Sequence, residues 1–280
     1  MQRTWQTESV LTVIDQTSGL SAYSAQGRAI QIGSVDKVAL EARAKAFQSR
    51  SIKTTSKRAA LELSIRCIDL TTLEGFDSPG KVRALCQKAI MPDPHNPTLP
   101  SVAAVCVYPE LVDVAAETLA GSGVKVASVA GAFPSGLSSI DVRTADIRDA
   151  VARGADEIDI VLNRSAFMSG DYATVFNDVA ASKEACGAAH LKVILEVGEL
   201  GNYDRVRRAS MISMLAGADF IKTSTGKIPK ASTLPVSLCM AECIRDFHDQ
   251  TGEIIGLKSA GGIRTAKQAW HYLVMVQETL

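Results

Sequence analysis

The sequence has no long apolar run, no net charge and few histidines, and each shortage excludes a class of protein. A membrane-spanning helix needs about 18 or more consecutive apolar residues, so no membrane span is expected. Thirty basic residues balance thirty acidic ones, so neither a nucleic acid nor an acidic membrane is an expected partner. The four histidines are scattered and the six cysteines form no Cys-x-x-Cys pair, so no metal site is expected.

The remaining composition is that of an ordinary globular protein. The 280 residues are 46% hydrophobic, 21% charged and only 5% aromatic, which suits one large α/β domain or two small ones. The first ten residues are polar and lack the apolar core of a secretory signal. We therefore expect a cytoplasmic protein whose cysteines are free and mostly buried thiols.

One stretch, Gly217–Lys227, combines a buried strand with a lysine and a polar loop. A helix is predicted to end at Gly217, and Lys222 stands at the exit of the short apolar strand that follows. A lysine there loses hydration unless its pKa falls, and a lysine with a depressed pKa is a nucleophile. The hydroxyls, N–H groups and second cation of Thr223–Lys227 suit a phosphate. The alternative is a lysine that only extends from a strand end into water.

A second stretch, Gly256–Arg264, repeats this pattern 36 residues further along the chain. It has a short apolar entry, Lys258, a glycine-rich turn and a cation. This spacing is about one βαβ repeat, so in a parallel barrel Lys222 and Lys258 would meet on one face. A neighbouring ammonium group is one means of keeping a nucleophilic lysine neutral near pH 7.

Strands and helices are predicted to alternate from residue 64 to the end. The predicted strands, with helices between them, are Ile65–Leu70, Val102–Tyr108, Lys125–Ala130, Glu157–Leu162, Leu191–Val197, Phe220–Thr223 and Ile255–Lys258. This order predicts parallel α/β structure and favours a (β/α)8 TIM barrel over a doubly wound sheet. No Gly-x-Gly-x-x-Gly follows the first strand, which disfavours a dinucleotide-binding fold.

Residues 1–63 are predicted to form an arm and helices that pack on the barrel of residues 64–280. Leu11–Ile14 fit either a short strand or a turn of helix, and the small residues between Gly19 and Gly27 indicate a loop. Helices are predicted at Val35–Phe47, with Ser34 as N-cap, and at Thr54–Leu63. Nothing in this N-terminal helical extension suggests chemistry.

Asp159 stands in the middle of a predicted buried strand, between two isoleucines. Strand alternation places Glu157 and Asp159 on one face and Ile158 and Ile160 on the other. The interior of the barrel is therefore polar at this strand, and a buried carboxylate needs a partner or a chemical task. The alternative is a structural ion pair.

Together these stretches resemble deoxyribose-phosphate aldolase, a family of class I (Schiff-base) aldolases, over roughly Ile65 to Leu273. The resemblance implies reversible cleavage of a small phosphorylated sugar, 2-deoxy-D-ribose 5-phosphate, to D-glyceraldehyde 3-phosphate and acetaldehyde in deoxyribonucleotide catabolism. It implies that Lys222 forms the Schiff base, that Lys258 lowers the pKa of Lys222, and that Asp159 moves protons through water. No metal or organic cofactor is implied, and a homodimer is left open.

The resemblance also implies a set of substrate-binding residues. Asp69 and Thr71 match the pair after the first strand, and Cys106 matches a cysteine that lines the site, although plain core packing is the alternative for a cysteine. Glycine N–H groups and cations would hold the phosphate, and the residues implied for this role are Gly226, Lys227, Gly261, Gly262 and Arg264. The alternative for Arg264 is a solvated helix start, and Glu199 is expected to have a surface role.

The sequence departs from the family pattern in two places. Leu257 and Ser259 replace the Phe and Pro that usually flank the second lysine, which are tolerable packing changes. The resemblance also implies an eighth βα unit after Leu273, and the sequence ends at Leu280. The alternatives are therefore a truncated, weakly active or inactive barrel with an exposed edge, a gap filled by the apolar patch near Leu11–Ile14, or another class I aldolase with different aldehydes.

Overall fold

The computed structural model describes residues 3–6, 10–15, 19–24, 29–229 and 231–280. Three N-terminal strands, β1 (Arg3–Gln6), β2 (Val10–Asp15) and β3 (Gly19–Ser24), form an antiparallel sheet in the order β1-β2-β3. The prediction of a loop from Gly19 was wrong, because the segment pairs along its length with β2. The apolar patch Leu11–Ile14 lies in β2 and has a partner strand on both sides. Both of its hydrogen-bonding edges are used, so it does not join the larger sheet.

The larger sheet has seven strands, all parallel, whose spatial order follows the chain. The strands are β4 (Asp69–Thr71), β5 (Ala104–Val107), β6 (Lys125–Val129), β7 (Glu157–Val161), β8 (His190–Ile194), β9 (Phe220–Lys222) and β10 (Gly256–Lys258). Parallel neighbours require crossover connections, and helices provide them between the strands of this sheet. The predicted parallel α/β class is therefore confirmed.

Helices precede, connect and follow these strands. They are α1 (Lys37–Phe47), α2 (Thr54–Arg66), α3 (Pro79–Ile90), α4 (Val112–Leu119), α5 (Ile140–Ala152), α6 (Arg164–Met168), α7 (Tyr172–Cys186), α8 (Val197–Leu200), α9 (Tyr203–Leu215), α10 (Leu234–Thr251) and α11 (Ala266–Gln277), with a short 3-10 helix at Pro109–Leu111. No helix in the described ranges is long and apolar enough to cross a membrane.

Two boundaries near the start of the large sheet differ from prediction. Asp36, rather than Ser34, caps α1, because its carboxylate accepts the N–H of Ala39. The predicted strand from Ile65 is wrong at its start, because α2 continues to Arg66 and β4 begins only at Asp69. Ile65 packs on the core from the last turn of the helix, so its apolar character did not distinguish helix from strand.

Residues alternate between the two faces of the large sheet. On β7 and β8, Ile158, Ile160, Leu191 and Val193 belong to the main core between the sheet and its helices. The opposite face carries a second, small core formed by Leu73, Ala104, Cys106, Ala127 and Val129. Charged residues continue this second face on the later strands, so the same alternation that builds the core also collects the charges.

The sheet is curled, and its first and last strands approach each other. Lys258 on β10 lies with its Nζ 2.8 Å from Oδ1 of Asp69 on β4, and it donates to the carbonyl of Cys67 at 3.3 Å. These residues belong to opposite edges of the sheet. The curl therefore encloses the face that carries the charges. Cys67 is exposed, and the other five cysteines are buried and free.

Candidate active site

Six charged side chains form one connected network on the inner face of the sheet. Asp69 is on β4, Glu157 and Asp159 are on β7, and the lysines Lys192, Lys222 and Lys258 are on β8, β9 and β10. Three formal positive charges thus face three formal negative charges. We call these six residues the charge network.

Short contacts connect the charge network from one edge strand to the other. Asp159 lies 2.6 Å from Nζ of Lys222 and 2.8 Å from Nζ of Lys192, through different carboxylate oxygens. Lys192 continues the network to Glu157 at 2.5 Å and to Asp69 at 3.8 Å. Asp69 then contacts Lys258. Because the pairs share members, a change at one charge is felt at its neighbours.

Asp159 is completely buried and remains a carboxylate. Burial by itself raises its pKa, but Lys192 and Lys222 lower it more, and the resulting pKa lies well below the ordinary range. The sequence-based alternatives for this residue were a structural ion pair and a catalytic group. Its geometry includes the ion pair and also places a proton acceptor within 2.6 Å of Lys222.

Lys222 is buried and paired, so its predicted electrostatics need correction. Burial lowers its pKa, but the Asp159 carboxylate outweighs burial, and the net pKa is raised. The nearby cation that lowers this pKa is Lys192, whereas Lys258 is occupied by Asp69. The expected depressed pKa of Lys222 is therefore not found in this arrangement, and a role of Lys258 in lowering it stays a prediction.

Lys192 was missed by the reasoning from sequence. It is 2% exposed, it is paired in register with Asp159 on the neighbouring strand, and its carboxylate partners raise its pKa despite burial. The available signal was a single charge inside the apolar run Leu-Lys-Val-Ile-Leu. Asp159 was identified by the same signal, a charged residue in an apolar strand. Predicting that Asp159 and Lys192 are paired on neighbouring strands would have identified Lys192 as its partner.

Cys106 and Thr71 lie beside the charge network. Cys106 is buried, and burial with the nearby Asp159 carboxylate raises the pKa of its thiol to about 12. It also belongs to the small inner core, so packing accounts for its position. Thr71 is exposed at the end of β4, where its hydroxyl donates to the Asp69 carbonyl at 3.1 Å.

The segment Thr223–Lys227, called here the β9 loop, forms hydrogen bonds with the segments that follow the two neighbouring strands, β8 and β10. Thr223 exchanges hydrogen bonds with Ala260, accepting its N–H at 2.8 Å and donating to its carbonyl at 3.0 Å. On the other side, Thr225 donates its N–H and its hydroxyl to the carboxylate of Glu196. The loop is thereby fixed next to Lys222.

Lys227, a predicted phosphate ligand, is engaged by the loop after β4. Its Nζ donates to the carbonyl of Leu73 at 2.5 Å and pairs with Glu74 at 3.2 Å. The cation therefore lies at the end of the sheet near Asp69, but with protein acceptors already bound. A phosphate would have to share it with Glu74.

The predicted phosphate-binding glycines present free backbone donors. Gly226, Gly261 and Gly262 have φ values of 79°, 79° and 83°, a region that favours glycine. Their N–H groups make no hydrogen bond within the described part of the chain. Donors of this kind suit an anion.

Arg264, the remaining predicted phosphate ligand, follows two of these glycines in the chain. Its backbone N–H donates to Gln268 at the start of α11, and its exposed side chain makes no ion pair or hydrogen bond with any described residue. The structure thus places Lys222, Asp159, Lys258, Asp69 and Cys106 together, whereas phosphate binding by Arg264 stays a prediction.

The acidic residues of the charge network do not form a metal site. Within the described ranges, no group of three or more His, Cys, Asp or Glu side chains is arranged to hold a metal ion. The ammonium of Lys192 occupies the position between Glu157, Asp159 and Asp69. The arrangement combines the buried amine of Lys222, the adjacent carboxylate of Asp159 and N–H donors of the loop glycines. Groups of these kinds can carry out covalent chemistry on a carbonyl.

Comparison with known proteins agrees with this chemistry. The family model described as DeoC/LacD family aldolase matches residues 63–277. The chain therefore belongs to the DeoC/LacD family of aldolases.

Individual relatives are more specific. The chain is 43% identical over 258 residues to the deoxyribose-phosphate aldolase of Bos taurus, with 88% of this chain and 81% of the relative covered. It is 44% identical over 260 residues to that of Mus musculus, with the same coverage. The tetrameric deoxyribose phosphate aldolase of Aeropyrum pernix has the same fold, with a TM-score of 0.64, 24% identity, and 79% and 86% of the two chains covered.

Proposed function

We propose that this chain is a deoxyribose-phosphate aldolase, a lyase in which Lys222 forms a Schiff base with the substrate aldehyde. The observation that carries the proposal is the buried Lys222 amine, 2.6 Å from the Asp159 carboxylate. Gly226, four residues further along the chain, has an N–H that makes no hydrogen bond among the described residues. The relatives described above have this activity by name. The proposed reaction is reversible cleavage of 2-deoxy-D-ribose 5-phosphate to D-glyceraldehyde 3-phosphate and acetaldehyde.

The first steps need a neutral amine and a proton acceptor. Lys222 gives up a proton, with Asp159 as the nearest base, and its nitrogen attacks carbon 1 of the open-chain sugar. The resulting carbinolamine loses water after protonation of its hydroxyl, which leaves a protonated imine. Lys192 stabilises the anionic form of Asp159 and so limits how long Asp159 keeps the proton.

The protonated imine then accepts the electrons of the breaking bond. A base removes the proton of the hydroxyl on carbon 3, the bond between carbons 2 and 3 breaks, and glyceraldehyde 3-phosphate leaves. The enamine that remains takes a proton at carbon 2, and water hydrolyses the imine to acetaldehyde and free Lys222. Asp69 and Lys258 are the proposed partners of the sugar hydroxyls, since both lie in the same network.

The finer fold and the domain division are part of the same proposal. We propose that the curled sheet is the seven-strand part of a (β/α)8 barrel, with residues 1–63 as an N-terminal extension and 64–280 as the catalytic domain. The curl, the single strand order and the contact of Lys258 with Asp69 support the barrel. A cytoplasmic location and a homodimer complete the proposal, and light scattering of the purified protein tests the latter.

Borohydride trapping with acetaldehyde tests the Schiff base directly. The expected result is a reduced adduct on Lys222, identified by peptide mass spectrometry, and its loss in Lys222→Leu. Lys258→Leu should retain the adduct but lose nearly all turnover. An adduct at another lysine, or full activity in Lys222→Leu, contradicts the proposal, and an adduct without cleavage of deoxyribose 5-phosphate indicates an aldolase for other aldehydes.

A further inference from the structure

Glu196 is a buried carboxylate that the proposed chemistry does not use. It follows β8 and is 1% exposed. Its φ of 52° and ψ of 57° place it in the left-handed region, which is unfavourable for a residue with a side chain. A buried acid in a strained conformation needs compensating contacts.

Those contacts are made with the middle of the β9 loop. Glu196 Oε1 accepts the N–H of Thr225 at 3.3 Å, and Oε2 accepts its hydroxyl. The same hydroxyl oxygen accepts the N–H of Lys227 at 3.0 Å. The Thr225 hydroxyl therefore donates one hydrogen bond and accepts another. Gly226 lies in the chain between Thr225 and Lys227, which this second bond connects.

The residues on either side of Glu196 hold the base of the same loop. Leu195 donates its N–H to the carbonyl of Lys222 at 2.9 Å, and Val197 donates to that of Thr223 at 3.0 Å. These backbone bonds continue the strand pairing past the end of β9. They fix where the loop leaves the sheet, and the carboxylate of Glu196 fixes how it turns.

A cation accompanies the carboxylate without replacing these contacts. Arg164 lies 3.9 Å from Glu196 and 2.8 Å from Glu199, and it also donates to the carbonyl of Ser135 at 2.9 Å. Glu199 is about half exposed and makes no contact with the β9 loop among the described hydrogen bonds and ion pairs. Glu199 therefore contacts Arg164, as Glu196 does, but it makes no hydrogen bond with Thr225.

We propose that Glu196 is a positioning residue for the substrate phosphate, acting through Thr225 to hold the free N–H of Gly226 in place. This inference rests on the proposed function, in which the β9 loop binds the phosphate. Donors that are fixed before the anion arrives bind it without a further ordering cost. A loosened loop lowers affinity for the phosphorylated substrate and has little effect on the part of the sugar held by the charge network.

The test compares Glu196→Gln with the matched control Glu199→Gln, using 2-deoxyribose 5-phosphate and unphosphorylated 2-deoxyribose. The glutamine keeps only one of the two acceptor oxygens that Thr225 uses. Glu196→Gln should raise KM for the phosphorylated sugar about tenfold, as expected for one lost charge-assisted hydrogen bond. Its kcat/KM for 2-deoxyribose, and both constants of Glu199→Gln, should stay within about twofold of the unsubstituted protein. Equal losses with both sugars, or no loss with either, overturn the inference.

A second variant shows whether Glu196 acts through Thr225. Thr225→Val removes the hydroxyl, and the double variant should raise KM for the phosphorylated sugar no more than the larger single effect. Multiplied effects contradict action through this hydroxyl.

A binding measurement separates this inference from the proposed function. Inorganic phosphate should bind more weakly to Glu196→Gln than to Glu199→Gln in calorimetric titrations, whether or not a Schiff base forms. Failure of acetaldehyde trapping on Lys222 in the unsubstituted protein would count against the aldolase reaction, whereas equal phosphate affinities of the two variants would count against Glu196.

Discussion

Replacing Lys192 with methionine should alter the pH dependence of the reaction, although the proposed Schiff base is on Lys222. Methionine has a similar length and stays apolar, so the buried volume is nearly conserved. The charge network then carries three carboxylates and two ammonium groups. The lost cation is the one that lowers the pKa of Lys222 and helps to keep Asp159 ionised.

The size of the effect follows from the charges. Lys192 and Lys222 bind opposite oxygens of one carboxylate at 2.8 and 2.6 Å. Two unit charges about 6 Å apart interact by roughly 3 kcal/mol at an effective permittivity of about 20, and about 1.4 kcal/mol is a factor of ten in the protonation equilibrium. Without Lys192 the pKa of Lys222 rises further, so its neutral fraction at pH 7 falls, by up to about a hundredfold on this estimate.

The assay is kcat/KM for deoxyribose 5-phosphate between pH 6 and pH 10. Activity should rise with pH in both proteins, because neutral Lys222 accumulates, and the Lys192→Met curve should lie at higher pH. A Glu157→Gln/Lys192→Met double variant also removes one carboxylate, so it is the control for the charge balance of the network. Compared with Lys192→Met alone, it should have a higher rate and a higher free energy of unfolding. An unchanged pH profile in Lys192→Met would refute the electrostatic reasoning.

Two further changes test contacts away from Lys222. Glu74→Gln should free Lys227 for the phosphate and lower KM for deoxyribose 5-phosphate by at most about fivefold, since exposed pairs contribute up to about 1 kcal/mol; an increased KM in steady-state assays would contradict this competition. Gly256→Ala should lower the free energy of unfolding by about 1–3 kcal/mol in urea titrations, because a Cβ there would lie 2.1 Å from the Phe220 ring. The control Gly80→Ala, with no atom within 4 Å, should show no such loss.

The sequence was sufficient for the order of the elements and for the inner face of the later strands. Period-2 alternation around Asp159 separated polar from apolar positions correctly, and glycine stops such as Gly217 located helix ends. Element ends were less certain, because Ile65 suits the last turn of a helix as well as the first residue of a strand. The N-terminal strand from Gly19 was missed because its glycine and serines are typical of loops and have weak strand preference.

Within the site, the sequence identified groups but not partners. Lys222, Asp159 and Lys258 were named correctly as neighbours, whereas the assignment of carboxylates to lysines depends on sheet curl and side-chain reach. That assignment reversed the expected direction for the pKa of Lys222. Glu196 could not be found from sequence, since its importance depends on a left-handed backbone and on a threonine 29 residues away.

The contact between Lys258 and Asp69 has a mechanical consequence. This ion pair connects β4 and β10, the two edge strands of the large sheet. The two groups proposed to bind the sugar hydroxyls therefore also hold these strands together. A sugar hydroxyl that binds Asp69 in place of Lys258 would weaken this connection between the two edge strands in every catalytic cycle. Substitutions at either residue therefore change shape and chemistry together, and each rate measured on such a variant needs a radius of gyration from small-angle scattering beside it.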